Sequence, residues 1–219
     1  MVEAITRPTE MTISLAAVKN NIEVVKATSG ADKVFLAVKS NGYGHGLHTM
    51  AEAAVAGGVY GLAVAIIDEA LALRHQRLTV PILILGISPA EYAELMAVQH
   101  IMATVVSIDW LKTAEQHLSG EQRLPVTLGL DTGMGRIGFR ERSEVAEAIA
   151  FVQAHADKFE YVGLCTHFAE SDSSDTRYFE KQLKRWHALT DGLPKPEYYH
   201  VANSGAALYH PNEVPHEVI

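Results

Sequence analysis

The side chains in this sequence that are best placed to do chemistry lie in one short stretch, Lys33–Gly46. A continuous apolar run, Val34–Val38, ends there in a single cation, Lys39, and glycines then alternate with Tyr43 and His45. Continuous apolar runs are typical of parallel strands that are covered on both faces. A lysine at the end of such a strand lies at the rim of an apolar cavity, where burial disfavours the ammonium form and leaves an amine that can attack a carbonyl group.

Two interpretations of Lys39 follow from this pattern. Glycines let the backbone turn sharply and let a ligand approach closely, so the strand, the lysine and the open loop together indicate a lysine that forms a Schiff base. In the second interpretation Lys39 is an ordinary lysine that carries its charge out to solvent from the end of a strand. The residues of this stretch alone do not decide between the two.

A second stretch, Asp131–Gly138, has the sequence DTGMGRIG and places Arg136 among glycines. The glycines would bring its guanidinium close to a ligand. This group is planar and always charged, and its N–H donors suit the oxygens of a phenolate or a carboxylate. A surface turn is the alternative, since short polar segments with glycine commonly form turns.

A third stretch, His200–Leu208, contains Asn203, Ser204 and Gly205 at the expected start of a short helix. Free backbone N–H groups and a hydroxyl at a helix N-terminus suit an anion such as a phosphate, and barrels often bind phosphate after their last two strands. The alternative is a plain helix cap, a role that asparagine and serine often fill.

A fourth stretch, Thr166–Asp172, follows an apolar strand and contains His167. A histidine in this place is by itself more often a hydrogen-bonded core residue than a catalyst. Asp131, His167 and His200 could also be imagined as the ligands of a metal. We disfavour a metal site, since no HxH pair ends a strand and no HExxH motif occurs in the sequence.

The stretch AVKSNGYGHG, at Ala37–Gly46, resembles the pyridoxal-phosphate attachment motif of alanine racemases. DTGMGRIG, THFAESD and HVANSGAAL are similar to further motifs of that family, in the same order along the chain. The resemblance runs from about Met11 to the last residue, and four ordered motifs are far more specific than one glycine-rich loop. It implies a fold-type III enzyme that uses pyridoxal 5'-phosphate (PLP).

The resemblance also implies a role for each of these side chains. Lys39 holds the cofactor as a Schiff base and is the catalytic residue, while Tyr43 and Ser204 bind the phosphate through their hydroxyls. His167 lies against the cofactor ring as a support, and Arg136 contacts the ring oxygen and lies near the substrate carboxylate. The set that we predict to bind the cofactor is Lys39, Tyr43, Leu85, Arg136, His167, Asn203 and Ser204.

The activity implied by the resemblance is interconversion of L- and D-alanine. Lys39 would move the proton on one face of the substrate, and a tyrosine base on a second, mostly β domain would act on the other face, across the interface of a homodimer. The sequence departs from the family at Gly129, where many members carry a lysine modified by carbon dioxide, so an anion or another acid would have to orient Arg136. Alternatives are a single-domain PLP-binding barrel without racemase activity and a non-enzymatic or metal-dependent barrel that uses Lys39 structurally.

Strands and helices alternate along the chain, which argues for an α/β fold of the (β/α)8 TIM barrel type, with a doubly wound open sheet as the alternative. We expect a strand-like start at Met11–Leu15 and then a helix that Ser14 caps and Ser29-Gly30 ends. Each candidate residue follows a strand, at the barrel face that carries active sites. The predicted strands are Val34–Val38, Val59–Val64, Val80–Leu85, Ile101–Val106, Leu124–Leu130, Phe159–Cys165 and Tyr198–Ala202.

Seven of the eight expected strands are complete, and Glu217–Ile219 looks like the first residues of the eighth. A barrel without its closing strand leaves two unpaired edges and an open apolar interior. We therefore expect one barrel domain over residues 1–219, as a fragment of a longer enzyme, with low stability and poor or no racemase activity alone. In the family, an arginine that faces the pyridine nitrogen and the second domain follow beyond this point.

The composition limits the classes of partner that the protein is expected to bind. Its 219 residues are 48% hydrophobic and carry a net charge of -8, which allows one sizeable core and argues against binding to nucleic acid or to an anionic membrane. The single cysteine, Cys165, excludes an internal disulfide and fits a reducing compartment. The N-terminus lacks the apolar core of a signal peptide, and no apolar run approaches the roughly 20 residues that span a bilayer, so we expect a soluble cytoplasmic protein.

Overall fold

The sheet that organises this chain has seven parallel strands, arranged in the order in which they occur in the sequence. They are seen in a computed structural model, which describes residue 6 and residues 11–31 and 33–215. All seven predicted strands are present, and six of them are shorter than predicted. The strands are β1 (Phe35–Ala37), β2 (Gly61–Val64), β3 (Ile82–Ile84), β4 (Ile101–Val105), β5 (Leu124–Gly129), β6 (Phe159–Cys165) and β7 (Tyr198–His200).

Helices connect the strands and cover the outside of the sheet, which confirms the predicted alternation. None of the helices in the described ranges is both long and apolar enough to cross a lipid bilayer. The helices are α1 (Leu15–Ser29), α2 (Lys39–Tyr43, a short segment whose last four residues turn left-handed), α3 (Leu47–Ala56), α4 (Ile67–His75), α5 (Ala93–Val98), α6 (Ile108–His117), α7 (Arg142–Ala154), α8 (Arg177–Thr190) and α9 (Ser204–Tyr209), with a 3-10 helix at Ala90–Tyr92 before α5.

The first helix forms as predicted, but the strand expected before it does not. Residues 11–14 have no regular structure, and Leu15 is the first residue of α1. The Ser14 hydroxyl oxygen accepts a hydrogen bond from the backbone N–H of Ala17 at 3.2 Å. The prediction of a strand-like start at Met11–Leu15 is therefore wrong. Ser14 caps the helix that begins at Leu15, and no described strand pairs with the residues before it.

The sheet curls into an open barrel instead of lying flat. In a flat sheet with strands spaced ~4.8 Å apart, β1 and β7 would lie roughly 29 Å from each other. The ring centroids of Phe35 on β1 and Tyr198 on β7 are only 6.3 Å apart. Just before these strands begin, Lys33 donates a hydrogen bond to Glu197 at 2.8 Å and lies 4.5 Å from the ring centroid of Tyr60. The curled parallel sheet confirms an incomplete (β/α)8 barrel and excludes the doubly wound open sheet.

Two apolar layers, one on each face of the sheet, hold the barrel together. Along β3, Leu83 faces the barrel interior, whereas Ile82 and Ile84 face the surrounding helices. Both layers are buried, which explains why β1, β2 and β3 are continuous apolar runs that do not alternate with polar residues. The interior layer is small and is formed by Phe35, Ala63, Leu83, Met102, Val162 and Tyr198.

The two ends of the sheet are β1 and β7, and within the described ranges no strand pairing joins them. The predicted start of a further strand at Glu217–Ile219 lies outside the described residues. The space between β1 and β7 is therefore bridged by side chains, among them Lys33 and Glu197.

Candidate active site

A cavity opens where the strands of the barrel end. It brings together four of the predicted site residues, Lys39, Leu85, Arg136 and His167. Because all strands of a parallel barrel end at one face, this convergence follows from the fold. The rest of the lining includes Thr104, Asp131, Met134, Cys165, Thr166 and His200.

Lys39 lies directly before a segment of left-handed backbone. All four residues of Ser40–Tyr43 have left-handed backbone angles, with φ between 54° and 60°. This conformation costs roughly 1–2 kcal/mol for most residues other than glycine. Gly42 avoids the cost, and the cost is lower for Asn41 than for the serine and the tyrosine, because asparagine adopts left-handed angles more readily. The N–H of Gly42 donates to the carbonyl of Val38 at 2.7 Å. The predicted glycine-rich loop is therefore a tight, strained turn directly after the lysine.

Arg136 lies on a loop that Asp131 closes. One Asp131 carboxylate oxygen accepts hydrogen bonds from the backbone N–H groups of Gly133 and Gly135, at 3.1 and 2.9 Å, and the other accepts one from Nε of Arg140 at 3.0 Å. Burial alone would raise the pKa of Asp131, but these donors together hold it below its ordinary value. Asp131 thus fixes the conformation of the loop to which it belongs, and the Arg136 side chain on that loop is exposed.

Gln182 on α8 links the loop that carries Arg136 to the loop that follows β6. Its side chain is 0% exposed. Its Nε2 donates to the hydroxyl of Thr132 at 3.2 Å and to the carbonyl of His167 at 3.1 Å. Its Oε1 accepts a hydrogen bond from the backbone N–H of Ala169 at 2.9 Å. Since every polar atom of Gln182 is used, the two loops are fixed relative to each other.

Electrostatics keep the histidines of the cavity neutral. The ring of His167 reaches solvent, but the protein around it disfavours the charged form and lowers its pKa, and the nearby Arg136 and Lys39 lower it further. Burial of the His200 ring lowers its pKa to about 4. Burial of the Cys165 thiol raises its pKa to about 12. At neutral pH the two histidine rings and the thiol are therefore uncharged, and Asp131 is the one charged acid in the described lining.

The side chains of Lys39, Arg136 and His167 in the cavity have no hydrogen-bond partner among the described residues. Across the described ranges, Lys39 and Arg136 make no hydrogen bond or ion pair, and the ring of His167 makes no hydrogen bond. An amine, a guanidinium and a neutral imidazole in one cavity suit a ligand that carries a carbonyl group and anionic oxygens.

Three predicted residues, Tyr43, Asn203 and Ser204, do not line this cavity. Tyr43 is 59% exposed. The side-chain oxygen of Asn203 accepts hydrogen bonds from the backbone N–H of Ala206 at 3.0 Å and from the hydroxyl of Ser171 at 2.6 Å, so Asn203 caps α9. Ser204 is exposed at the start of that helix, and its backbone N–H has no partner in the described part of the chain.

Gly129 lies in the cavity wall, at the position where the sequence departs from the resembled family. A Cβ atom there would lie 3.2 Å from Cγ2 of Thr104 and 3.3 Å from Cγ1 of Val106, so a larger side chain would need its neighbours to move. The acid in the lining, Asp131, pairs with Arg140 and not with Arg136. Among the residues that the structure describes, no acid therefore orients Arg136.

Sequence reasoning missed several lining residues that lie within the strands. Cys165 and His200 are the last residues of β6 and β7, and Thr104 is next to the end of β4. The available signal was the alternation of side chains along a strand, which places the final inward-facing residue beside the residues that follow the strand. From the sequence, His200 is interpreted only as a possible metal ligand. No group of three His, Cys, Asp or Glu side chains in the described ranges is arranged to hold a metal ion.

Residues 13–218 of the chain match the family model described as "Alanine racemase, N-terminal domain". The chain is also 47% identical over 215 residues to the lysine racemase of Oenococcus oeni, and this alignment covers 98% of the chain and 58% of that relative.

Two solved structures are similar to this one over most of the chain. The alanine racemase of Oenococcus oeni has a TM-score of 0.90 at 45% identity, covering 94% of this chain and 61% of that protein. The histidine racemase of Leuconostoc mesenteroides subsp. sake has a TM-score of 0.90 at 33% identity, covering 94% of this chain and 56% of that protein. The chain thus spans more than half, and less than two thirds, of the length of these relatives.

Proposed function

This chain belongs to the family of the alanine racemase N-terminal domain, and on that premise we propose that it is the cofactor-binding barrel of an amino-acid racemase that uses PLP. The proposed reaction is interconversion of L- and D-alanine. The observation that carries the proposal is the cavity in which Lys39, Arg136 and His167 converge without a protein partner among the described residues.

The residues present fit this cofactor. Its aldehyde calls for an amine that is free to react, which Lys39 supplies at the end of β1. Its ring oxygen and the carboxylate of an amino acid suit the guanidinium of Arg136. Its phosphate suits the exposed start of α9, where the hydroxyl and backbone N–H of Ser204 have no hydrogen-bond partner among the described residues. We add the exposed hydroxyl of Tyr43 to this phosphate site.

The protein side chains divide the work of racemisation. When bound, PLP draws electrons from the α-carbon of the amino acid and so makes the α-proton acidic. The amine of Lys39 takes or returns that proton on one face of the substrate. Arg136 binds and orients the anionic oxygens. His167 supports the ring and stays neutral, because its pKa is lowered by its surroundings.

Racemisation also needs a proton transfer on the opposite face of the substrate. The described cavity contains one lysine and no tyrosine. We propose that a tyrosine on a mostly β domain acts there, contributed by the partner subunit of a homodimer. The 219-residue chain should then bind the cofactor and racemise poorly by itself.

The first test is the attachment of PLP to Lys39. Added cofactor should give an absorption band at about 420 nm that borohydride fixes on this residue. Lys39→Arg keeps the charge but cannot attack the aldehyde, and it should reduce the fixed label by about 100-fold or more. Lys19→Arg, on the exposed face of α1, is the control and should label normally. A label on other lysines with none on Lys39 would contradict the proposal.

A second candidate substrate class is the basic amino acids. It is supported by the identity of 47% to the lysine racemase of Oenococcus oeni. Exchange of the α-proton for deuterium, measured with alanine, lysine and histidine in parallel, separates the two classes. Exchange with none of the three, in a chain that labels at Lys39, would favour a PLP-binding barrel without racemase activity.

A further inference from the structure

One acidic side chain ties the backbone beside Lys39 to the neighbouring strand. Glu69, in the first turn of α4, accepts a hydrogen bond from the backbone N–H of Ser40 at 2.6 Å through Oε1. Its other oxygen, Oε2, accepts one from the backbone N–H of Ala65 at 2.8 Å. Ser40 is next to Lys39 in the chain, and Ala65 directly follows β2.

We propose that Glu69 is a positioning residue that sets the direction of the Lys39 amine by clamping the left-handed turn to the end of β2. The inference rests on the proposed function of Lys39 as the residue that binds the cofactor. Glu69 does not itself line the cavity, so it acts through the backbone and not on the ligand.

The Ser40 amide depends on Glu69, because the turn offers it no other acceptor. Within the turn, the N–H groups of Gly42 and Gly44 donate to the carbonyls of Val38 and Ser40. The N–H of Ser40 bonds only to Glu69 in the described part of the chain. A strained backbone persists only where its surroundings fix it. Without Glu69, the turn after the lysine would lose its tie to the sheet and the amine would sample other directions.

A carboxylate suits this place better than an amide would. Both of its oxygens accept, and hydrogen bonds to a charged acceptor are roughly twice as strong as neutral ones. The first turn of a helix also favours a negative charge, since its unpaired N–H groups carry partial positive charge. In a Glu69→Gln variant one acceptor becomes an NH2 group, which faces an N–H donor and loses that hydrogen bond.

Two other acids of the chain provide matched controls. Asp68 precedes Glu69 in the same helix turn, is exposed, and makes no hydrogen bond or ion pair in the ranges that the structure describes. Glu94 is a double acceptor like Glu69, with hydrogen bonds from the N–H and the hydroxyl of Ser119 at 2.9 and 2.7 Å, away from the cavity. Asp68→Asn removes a charge alone, and Glu94→Gln weakens a comparable clamp elsewhere.

The test measures covalent attachment of PLP to Lys39 in the full 219-residue chain. The lysine nitrogen bonds to the aldehyde carbon with loss of one water, and borohydride then reduces the C=N bond to a secondary amine that mass spectrometry locates. Varying the PLP concentration separates the half-saturating concentration from the maximal rate. Glu69→Gln should lower the maximal rate about tenfold and leave the half-saturating concentration within about twofold of the wild type, because Arg136 and His167 are unchanged. The two control variants should label like the wild type.

Hydrogen exchange at the Ser40 amide is the second measurement. Slow exchange in the wild type that becomes fast in Glu69→Gln supports the clamp, and fast exchange in the wild type overturns it even where the variant does not fold. Labelling of Glu69→Gln at the rate of Glu94→Gln overturns the positioning role and leaves the proposed function intact. A wild-type chain that takes up no label at Lys39 overturns the proposed function, and this inference falls with it.

Discussion

Two regions hold the cavity, and they do so by different physical means. Around Lys39 the support is short-range and strained, because the left-handed turn of Ser40–Tyr43 lies directly next to this residue. Around Arg136 and His167 the support is long-range and relaxed. There, Gln182 reaches residues 50 and 15 positions away in the sequence through a buried network.

The difference teaches how each kind of support suits the group that it carries. A strained turn fixes one backbone position tightly, which an amine needs if it must meet a single carbon atom. The buried network fixes two loops relative to each other but leaves the side chain of Arg136 exposed and unpaired among the described residues. A guanidinium that binds anionic oxygens tolerates this freedom, because its charge acts over a longer range than bond formation does.

The largest effect should come from breaking the long-range support. Gln182→Leu leaves the His167 carbonyl and the Ala169 N–H without their partner and removes one of two hydrogen bonds to the Thr132 hydroxyl, which keeps its bond to Thr166. It should lower the free energy of unfolding by about 2–4 kcal/mol. Urea unfolding measures the change. Gln153→Leu, on the exposed face of α7, is the control and should stay within ~0.5 kcal/mol of the wild type. Equal losses in the two variants would mean that the network does not support the loops.

Relieving the short-range strain should have a smaller effect of the opposite sign. Ser40→Gly keeps the backbone N–H that Glu69 binds and removes the cost of a left-handed serine. It should raise the free energy of unfolding by up to about 1 kcal/mol. Ser143→Gly lies in helix α7, where glycine is unfavourable, and should lower it by about 0.5 kcal/mol. A loss of stability in both variants would show that the turn stores no strain.

The smallest effect concerns the acid that closes the Arg136 loop. The folded protein lowers the pKa of Asp131, so the stability that this group adds is fully present above its unfolded pKa of about 3.9 and is lost as the pH falls through the lower folded value. Arg140 is 62% exposed, so solvent screens the pair, and Arg140→Gln should cost only about 0.5 kcal/mol at neutral pH.

The free energy of unfolding, measured as a function of pH, tests whether the contribution of Asp131 is lost in acid. The difference between the wild type and Arg140→Gln should shrink below about pH 4, as Asp131 takes up a proton. Arg123→Gln removes the more weakly placed partner of Glu160, at 3.8 Å with both side chains about half exposed, and should show no such profile. A difference between the wild type and Arg140→Gln that grows in acid would contradict the role given to Asp131.

The sequence predicted the parts of this protein that depend on regular geometry. Strands that are apolar on both faces and alternate with helices gave the barrel, and parallel strands that end at one face brought Lys39 and His167 together. The left-handed turn was not predictable, because Ser40 and Tyr43 have no preference for that conformation and adopt it only under contacts from elsewhere in the fold. The role of Gln182 was hidden for the same reason, since an amphipathic helix pattern does not reveal which buried amide reaches which loop.

The ion pair between Lys33 and Glu197 has a consequence for how β1 and β7, the two ends of the sheet, are held together. The ion pair lies at the end of the barrel opposite the cavity. The Lys33 amine also makes cation–π contacts with the Tyr60 and Tyr198 rings, whose centroids lie 4.5 and 5.1 Å away. Further along the same gap, the rings of Phe35 on β1 and His200 at the end of β7 lie 6.0 Å apart, so contacts between β1 and β7 are not confined to the end opposite the cavity. Salt screens the ion pair but not the ring contacts, so concentrated salt should weaken only the charged part of the link between β1 and β7.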